Sequence, residues 1–313
     1  MKLSRKRIGL ALGGGGARGL SHIGVLRVFE KAGIPIDVIV GTSIGALVGG
    51  AYACGISSEE LERKVLMYVT GPEFRSSAIK AIAAMYDEKM EGVAQKIERF
   101  LKNQVYIIQM LFRPGVLSTA DFESVIAHFL PDLQIGDTRI PFRAVATDLI
   151  TGEEVVFSEG SIREAVVASS AVPGAIEPVK QGSKLLSDGG IVSIVPVNIA
   201  RKAGADIVIA VPVDRDNPAL EEIKTVKDVL NRASEITAAK LERYELVEAD
   251  IVVRPIVKQV RWADFSQATD LVKEGEKAAL AMLPRIETMR SPLKMWVNMI
   301  KTLGNSRQFE NHG

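Results

Sequence analysis

Two periods of apolar residues alternate along the chain. Short unbroken runs of β-branched and aliphatic residues suit buried strands, and longer stretches with apolar residues every three or four positions suit amphipathic helices. Ile8 to Leu12 is the first run, and it leads into Gly13-Gly14-Gly15-Gly16-Ala17-Arg18-Gly19. Leu20, Ile23, Gly24, Leu26, Arg27 and Phe29 then fit a helix ending near Gly33. The second run lies within Ile36 to Gly55, where β-branched residues break at Gly41-Thr42-Ser43-Ile44-Gly45 and small apolar residues continue at helical spacing. Each unit reads as strand, glycine turn, helix, the repeating unit of a parallel sheet. Further strands are expected at Phe142 to Thr147 running into Asp148, Glu153 to Phe157 as part of a hairpin, Lys184 to Ser187, Ile207 to Val213 and Ile251 to Val253. Helices are expected after an N-cap at Ser57 and Ser58, over Ile162 to Ala168, over Thr225 to Leu246 and over Ala268 to Met282.

Two segments stand apart from this pattern. Residues 72–118 carry a helical stripe, Ile79, Ile82, Ala83, Tyr86, Met90, Val93, Ile97 and Leu101, that ends in an apolar cluster from Tyr106 to Phe112. This reads as a helical insertion packed on the body, or as a lid whose apolar face meets a lipid. From residue 285 the tail puts Leu293, Trp296, Val297 and Ile300 on one helical face, which suits a docking helix or one resting on a lipid surface. The expected organisation is one α/β domain over 1–284 and an amphipathic tail over 285–313.

Composition narrows the function. Of the 313 residues, 47% are hydrophobic and 25% charged, which is ordinary for a folded protein. Lys plus Arg at 39 nearly balances Asp plus Glu at 38, so nothing points to nucleic acid as a partner. The single cysteine, Cys54, makes no intramolecular disulfide, and Cys and His are too few for a zinc cluster, so no metal is expected. The basic start, Met1 to Arg7, precedes too short an apolar run for a secretory leader, and cytoplasmic residence is the default. The uncharged stretch Val38 to Ser58 approaches the length of a membrane span, but five glycines favour a buried strand and helix.

Gly-x-Ser-x-Gly at Gly41 to Gly45 has a mechanical meaning. A serine on a tight strand-to-helix turn is pushed out of the backbone, and its hydroxyl meets the free N–H groups and dipole of the following helix. A turn carrying an idle serine is the bland alternative. Gly14, Gly16 and Gly19 also match G-x-G-x-x-G, yet the ribose-binding acid of a dinucleotide fold belongs at the end of the next strand, where the serine turn stands, while Asp37 opens that strand. Backbone N–H groups of the four consecutive glycines can instead converge on an oxyanion. A serine needs a base. His312 is nearly terminal, His22 sits one turn into a helix where a structural role is the simpler reading, and His128 has no evident partner. A carboxylate is left: Asp188, before Gly189 and Gly190, with Asp148 as competitor at what reads as a hairpin entry. An ordinary aspartate is a poor base, so the acid must be desolvated.

The glycine loop with Arg18, the Gly41 to Gly45 turn and Asp188-Gly189-Gly190, in this order, resemble the three signatures of the patatin-like phospholipase family. Ala168-Ser169-Ser170-Ala171-Val172-Pro173 is similar to a further segment of that family. The resemblance spans about Ile8 to Val213. It implies a three-layer α/β/α fold with a mostly parallel sheet, and a lipid acyl hydrolase acting on phospholipid or lysophospholipid esters without cofactor or metal. It also implies Ser43 as nucleophile, Asp188 as base, and an oxyanion hole from Gly14, Gly15 and Gly16. Ile44 N–H at the helix start adds a donor, and Arg18 braces the loop. Gly19, Gly41, Gly45, Gly189 and Gly190 are the motif's supporting residues. Gly190 stands where the family often has alanine. An acyltransferase using the same dyad and a non-catalytic nucleotide- or lipid-binding regulatory protein are the competing readings. Peripheral membrane contact would fall to residues 72–118 or the tail.

Overall fold

The computed structural model describes residues 5–75, 115–213, 223–257 and 260–290. Most of the expected insertion, residues 76–114, and the tail from 291 lie outside the described residues. Strand β1 (Ile8–Leu12) lies between β2 (Val38–Thr42) and β7 (Ile207–Val211) and is parallel to both, with Leu12 opposite Gly41 and Val211. Strand β3 (Phe142–Asp148) extends the parallel order beyond β2, and β8 (Ile251–Val252) extends it beyond β7. At the far edge β4 (Glu154–Phe157) returns on β3 as a hairpin, while β6 (Lys184–Asp188) pairs antiparallel with both β3 and β5 (Val179–Gln181). The order is β5-β6-β3-β2-β1-β7-β8, with β4 on β3.

Alternation along the strands builds the layers. Ile8, Leu10 and Leu12 point into one core and Ala11 into another, and Ile207, Ile209 and Val211 separate from Val208 and Ala210 in the same way. The first core is covered by α1 (Ser21–Lys31), α2 (Ile44–Ala53), α3 (Ser58–Thr70), α5 (Thr119–Phe129), α6 (Ile162–Ser169) and α9 (Ala268–Arg290), with the short α4 (Pro72–Arg75) after α3. The second is covered by α7 (Val197–Lys202) and α8 (Val226–Val247). This is the three-layer, mostly parallel arrangement expected. Val38 to Ser58, weighed as a membrane span, becomes β2 and α2, and no helix among the described residues is long and apolar enough to cross a membrane.

Three local features follow from packing. The glycine loop passes through a 3₁₀ turn, Gly16–Leu20, before α1 begins at Ser21. Helix α9 does not stop at Met282 but runs through Pro284 to Arg290, because Ile286 is buried against the core and Arg290 Nη1 donates to the Gly33 carbonyl at 3.0 Å. Both contacts offset the lost helical bond. Asp37 opens the strand, as the sequence indicated. Its carboxylate accepts the Ile8 N–H at 2.7 Å and pairs with Arg5, at the sheet edge opposite the glycine loop. It is therefore not placed to hold a ribose there.

Candidate active site

Ser43 has φ 55° and ψ −124°, and among the described residues no other non-glycine has a positive φ. Such backbone costs about 1–3 kcal/mol and persists only when its surroundings enforce it. Here the Ser43 N–H donates to Ser169 Oγ at 2.9 Å, and the Ser43 carbonyl accepts from Ala46 and Leu47 as α2 starts. The motif glycines make the turn possible sterically. A Cβ on Gly41 would stand 2.4 Å from the Gly45 backbone, and one on Gly45 would stand 2.2 Å from the Leu12 carbonyl oxygen. Gly19 and Gly189 are equally hemmed in, 2.2 Å from Ile44 Cγ2 and from the Val145 carbonyl oxygen respectively.

Asp188 arrives by a route the sequence did not suggest. Strand β6 runs antiparallel, so its C-terminal end should lie away from the edge where the parallel strands finish. It pairs, however, with the last residues of β3: Asp188 sits opposite Ala146, one residue beyond the Val145 that faces Thr42. The overhang of β3 past β2 thus sets the acid beside the serine. Asp188 is almost fully buried, and burial pushes its carboxyl up to about 6, while hydrogen bonds from the Ser43 hydroxyl and the Gly190 N–H pull it partly back. Gly190 N donates to Oδ1 at 2.7 Å. The competitor Asp148 is a turn anchor: burial alone would raise its pKa, but hydrogen bonds from Ile150, Leu185 and Thr151, with Lys184 nearby, hold it below the ordinary range.

The glycine loop faces the serine, with a Cβ on Gly14 falling 3.3 Å from Ser43 Cβ. Its amides divide. Gly13 N donates to the Val211 carbonyl and Gly14 N to the Ile194 carbonyl, both at 3.0 Å. Gly14 is therefore corrected from oxyanion donor to anchor, since its one N–H is already engaged. Gly15, Gly16 and Ile44 N–H remain the candidate donors, the last at the start of α2, where the backbone leaves amides unpaired. Arg18 reaches back to the loop, Nε donating to the Gly15 carbonyl at 3.0 Å. His22 holds the loop as well: Nε2 is 2.9 Å from the Gly13 carbonyl, and burial lowers its pKa to about 4 against that bond, so it stays neutral at physiological pH. His128 packs its ring against Tyr68 and Phe129.

Several residues of this site carry no motif. The chain after Asp188 crosses the ends of β2 and β1: Thr42 Oγ1 donates to the Ser193 carbonyl at 2.9 Å, and the Ile194 carbonyl is the acceptor for Gly14. Glu245 of α8 holds this crossing, accepting from the Ser193 hydroxyl at 2.6 Å, Ile194 N at 3.0 Å and Val195 N at 2.8 Å. Burial raises the Glu245 carboxyl to about 7 despite those three donors, and the charge of Glu154 adds to the rise. Ser169 was legible only as part of the Ala168 to Pro173 segment. Glu245, far beyond Asp188 in the chain, had no signal at all.

Beside Ser43 opens an apolar cleft whose empty volume, mouth included, is about 1060 Å³. Leu47 and Val48 of α2, Val65 and Tyr68 of α3, and Phe122 and Phe129 of α5 form much of its wall, and no charged side chain among the described residues lines it. Ser170 lines it as well, and its hydroxyl is buried without a hydrogen-bond partner among the described residues. The arrangement offers a serine hydroxyl on a buried carboxylate, a glycine loop facing it, and room for a long apolar group.

A strained serine at a strand-to-helix turn, an aspartate beside it and a glycine loop over both define a serine-hydrolase-like site on a three-layer α/β fold. Residues 10–201 match the Patatin family, described as patatin-like phospholipase, and the chain belongs to that family. It is 34% identical over 214 residues to patatin-like phospholipase domain-containing protein 7 of Rattus norvegicus, an alignment covering 67% of this chain and 14% of the rat protein. Against domain-containing protein 6 of Homo sapiens the identity is 33% over 213 residues, again 67% of this chain and 14% of the relative. An uncharacterized NTE family protein of Mycobacterium bovis is 31% identical over 239 residues, 75% of this chain and 58% of that protein. The chain therefore spans only a small part of its mammalian relatives. Among solved structures, VipD from Legionella pneumophila superposes with a TM-score of 0.47 at 17% identity, covering 90% of this chain and 67% of VipD.

Proposed function

We propose that this chain is a serine lipid acyl hydrolase, cleaving fatty-acyl esters of phospholipids or lysophospholipids through a Ser43–Asp188 dyad and an acyl-enzyme. One observation carries the reading: the only strained non-glycine backbone among the described residues belongs to a serine whose hydroxyl bonds a desolvated aspartate at the wall of an uncharged cleft. Asp188, its pKa raised to about 6, is a far better proton acceptor than an ordinary aspartate and is still largely ionised at neutral pH. Asp188 takes the hydroxyl proton as Ser43 Oγ attacks the ester carbonyl. Gly15, Gly16 and Ile44 N–H, with the α2 dipole, stabilise the oxyanion. Asp188 returns the proton to the departing alcohol; water, deprotonated in turn by Asp188, then attacks the acyl-enzyme, and Asp188 passes that proton to Ser43 Oγ as the acyl bond breaks and the fatty acid leaves. The acyl chain lies in the cleft. The catalytic unit, expected over residues 1–284 with 72–118 as its insertion, is extended to Arg290, because Ile286 of α9 is buried in the core. Family membership and the naming of the relatives as phospholipases support the substrate class.

The test is intact-mass analysis after fluorophosphonate treatment, with hydrolysis of phosphatidylcholine and lysophosphatidylcholine measured in parallel. Wild-type protein should take up one adduct and Ser43→Ala none, with turnover lowered roughly 10⁴-fold or more. A folded wild-type protein that takes no label, or a Ser43→Ala variant that hydrolyses lipid near the parent rate, rejects the proposal.

A further inference from the structure

Buried hydroxyls are nearly always hydrogen-bonded, because an unpaired one costs stability that an alanine in its place would not. Ser170 departs from this. It is only 7% exposed, it lines the cleft together with Ser43, and its Oγ has no hydrogen-bond partner among the described residues. Its backbone is accounted for, since the Ser170 N–H donates to the Val166 and Val167 carbonyls where α6 ends. Only the side chain is left without a bond. A serine hydroxyl turns freely to meet an acceptor, so it suits a partner that arrives with substrate.

The residues on either side of Ser170 fix its place. Ser169 Oγ accepts the Ser43 N–H at 2.9 Å, and the Ala171 carbonyl accepts from Asp188 N at 3.0 Å and from Ser187 Oγ at 2.7 Å. Ser170 is thus held between the two residues of the dyad. The sheet order gives the direction. Ser43 follows β2, and the glycine loop follows β1 on one side of it, whereas β3 and the β6 that carries Asp188 lie on the other side. Tied to the end of β6, Ser170 is on the Asp188 flank of Ser43, away from the glycine loop.

An ester brings two oxygens to the serine. With its carbonyl oxygen at the glycine loop, the alkoxy oxygen must come within reach of Asp188, which returns the proton to it. We infer that the Ser170 hydroxyl donates a hydrogen bond to this alkoxy oxygen, as a further catalytic residue that fits the site to esters of aliphatic alcohols such as glycerol. The inference rests on the hydrolase reading and specifies how the alcohol is expelled. As the tetrahedral intermediate collapses, the oxyanion re-forms the carbonyl, the carbon–alkoxy bond breaks and its electron pair stays on the alkoxy oxygen. Asp188 supplies the proton that this oxygen keeps. Ser170 retains its own proton and stabilises the negative charge while it develops, which raises the rate rather than the affinity. A glycerol alkoxide is a strong base and needs that donor. A p-nitrophenolate spreads its charge over the ring and needs it far less.

The hexanoyl esters of glycerol and of p-nitrophenol share an acyl group and differ in the leaving alcohol. Their kcat/KM values, which report formation of the acyl-enzyme, are measured for the full-chain wild type and for Ser170→Ala. The alanine variant should lose about thirtyfold or more on the glycerol ester and at most about threefold on the p-nitrophenyl ester, so the ratio of the two moves about tenfold. Its melting temperature should equal or exceed that of wild type, since the change removes an unpaired hydroxyl. A serine with a merely structural role would lower both esters alike and the melting temperature with them. Equal falls on the two esters, or no fall on either, overturn the inference and leave the hydrolase reading in place. Wild-type protein that cleaves neither ester removes that reading and this inference with it. Where Ser170→Ala does not fold, Ser170→Gly, which also lacks the hydroxyl, is read on the same ratio.

Discussion

The carboxyl of Asp188 gives the sharpest quantitative test, because one structural feature predicts opposite effects on activity and on stability. Its pKa is raised from the ordinary 3.8 to about 6 by burial. A base with that pKa is about one-tenth ionised at pH 5, half at pH 6 and about nine-tenths at pH 7. Hydrolysis of a soluble ester, followed as kcat/KM, should therefore climb close to tenfold between pH 5 and 7 and then level. An exposed aspartate would already be saturated across that range. His22, held near 4 by burial, stays neutral there and adds nothing to the limb. Glu245 titrates near 7, so the measurement is repeated in Glu245→Gln, where the midpoint near 6 should survive. Stability moves the other way. Folded Asp188 holds its proton more tightly than the unfolded chain does, so its contribution is full below about pH 4 and is lost as pH rises through 6, about 3 kcal/mol in all. Asp188→Asn removes that cost. It should lower kcat/KM at pH 7.5 by about 10³-fold or more, yet raise the melting temperature there, with the gain shrinking toward zero at pH 4. A flat profile from pH 5 to 8, a midpoint below 4.5, or an Asn variant that keeps wild-type turnover would refute the assignment of Asp188 as the base.

Glu245→Ala leaves the Ser193 hydroxyl and the Ile194 and Val195 amides without their acceptor, so kcat for the soluble ester should fall about tenfold or more with KM little changed, and Glu245→Gln, which can still accept both amides, should recover most of it. Equal kcat in the two variants would place Glu245 outside the site's support. Gly16→Ala brings a Cβ within 2.1 Å of the Trp262 carbonyl oxygen at a backbone φ of 61°. That change should cost about 1–3 kcal/mol in denaturant unfolding, together with most fluorophosphonate labelling. Unchanged stability would mean that the Trp262 segment yields freely.

The sequence by itself determined what is local. The apolar runs at Ile8 to Leu12 and Ile36 to Thr42, the glycine turn after each and the capped helices follow from periodicity and from residues with special backbone freedom, and these act over a few positions. Ser43 was legible for the same reason, because Gly41 and Gly45 flank it and a strand and helix enclose it. Asp188 was legible as a residue but not as a position: its place beside Ser43 depends on an antiparallel β6 meeting the overhang of β3, a pairing of segments far apart in the chain. The division of the glycine loop into anchored and available amides was likewise invisible, since Val211, Ile194 and Trp262, the acceptors for Gly13, Gly14 and Ala17, approach from three distant segments. Glu245 and Ser169 belong to the same class. Tertiary structure alone decided them, because hydrogen-bond partners, burial and the resulting pKa are set by which elements meet in space, and nothing in the local pattern records that.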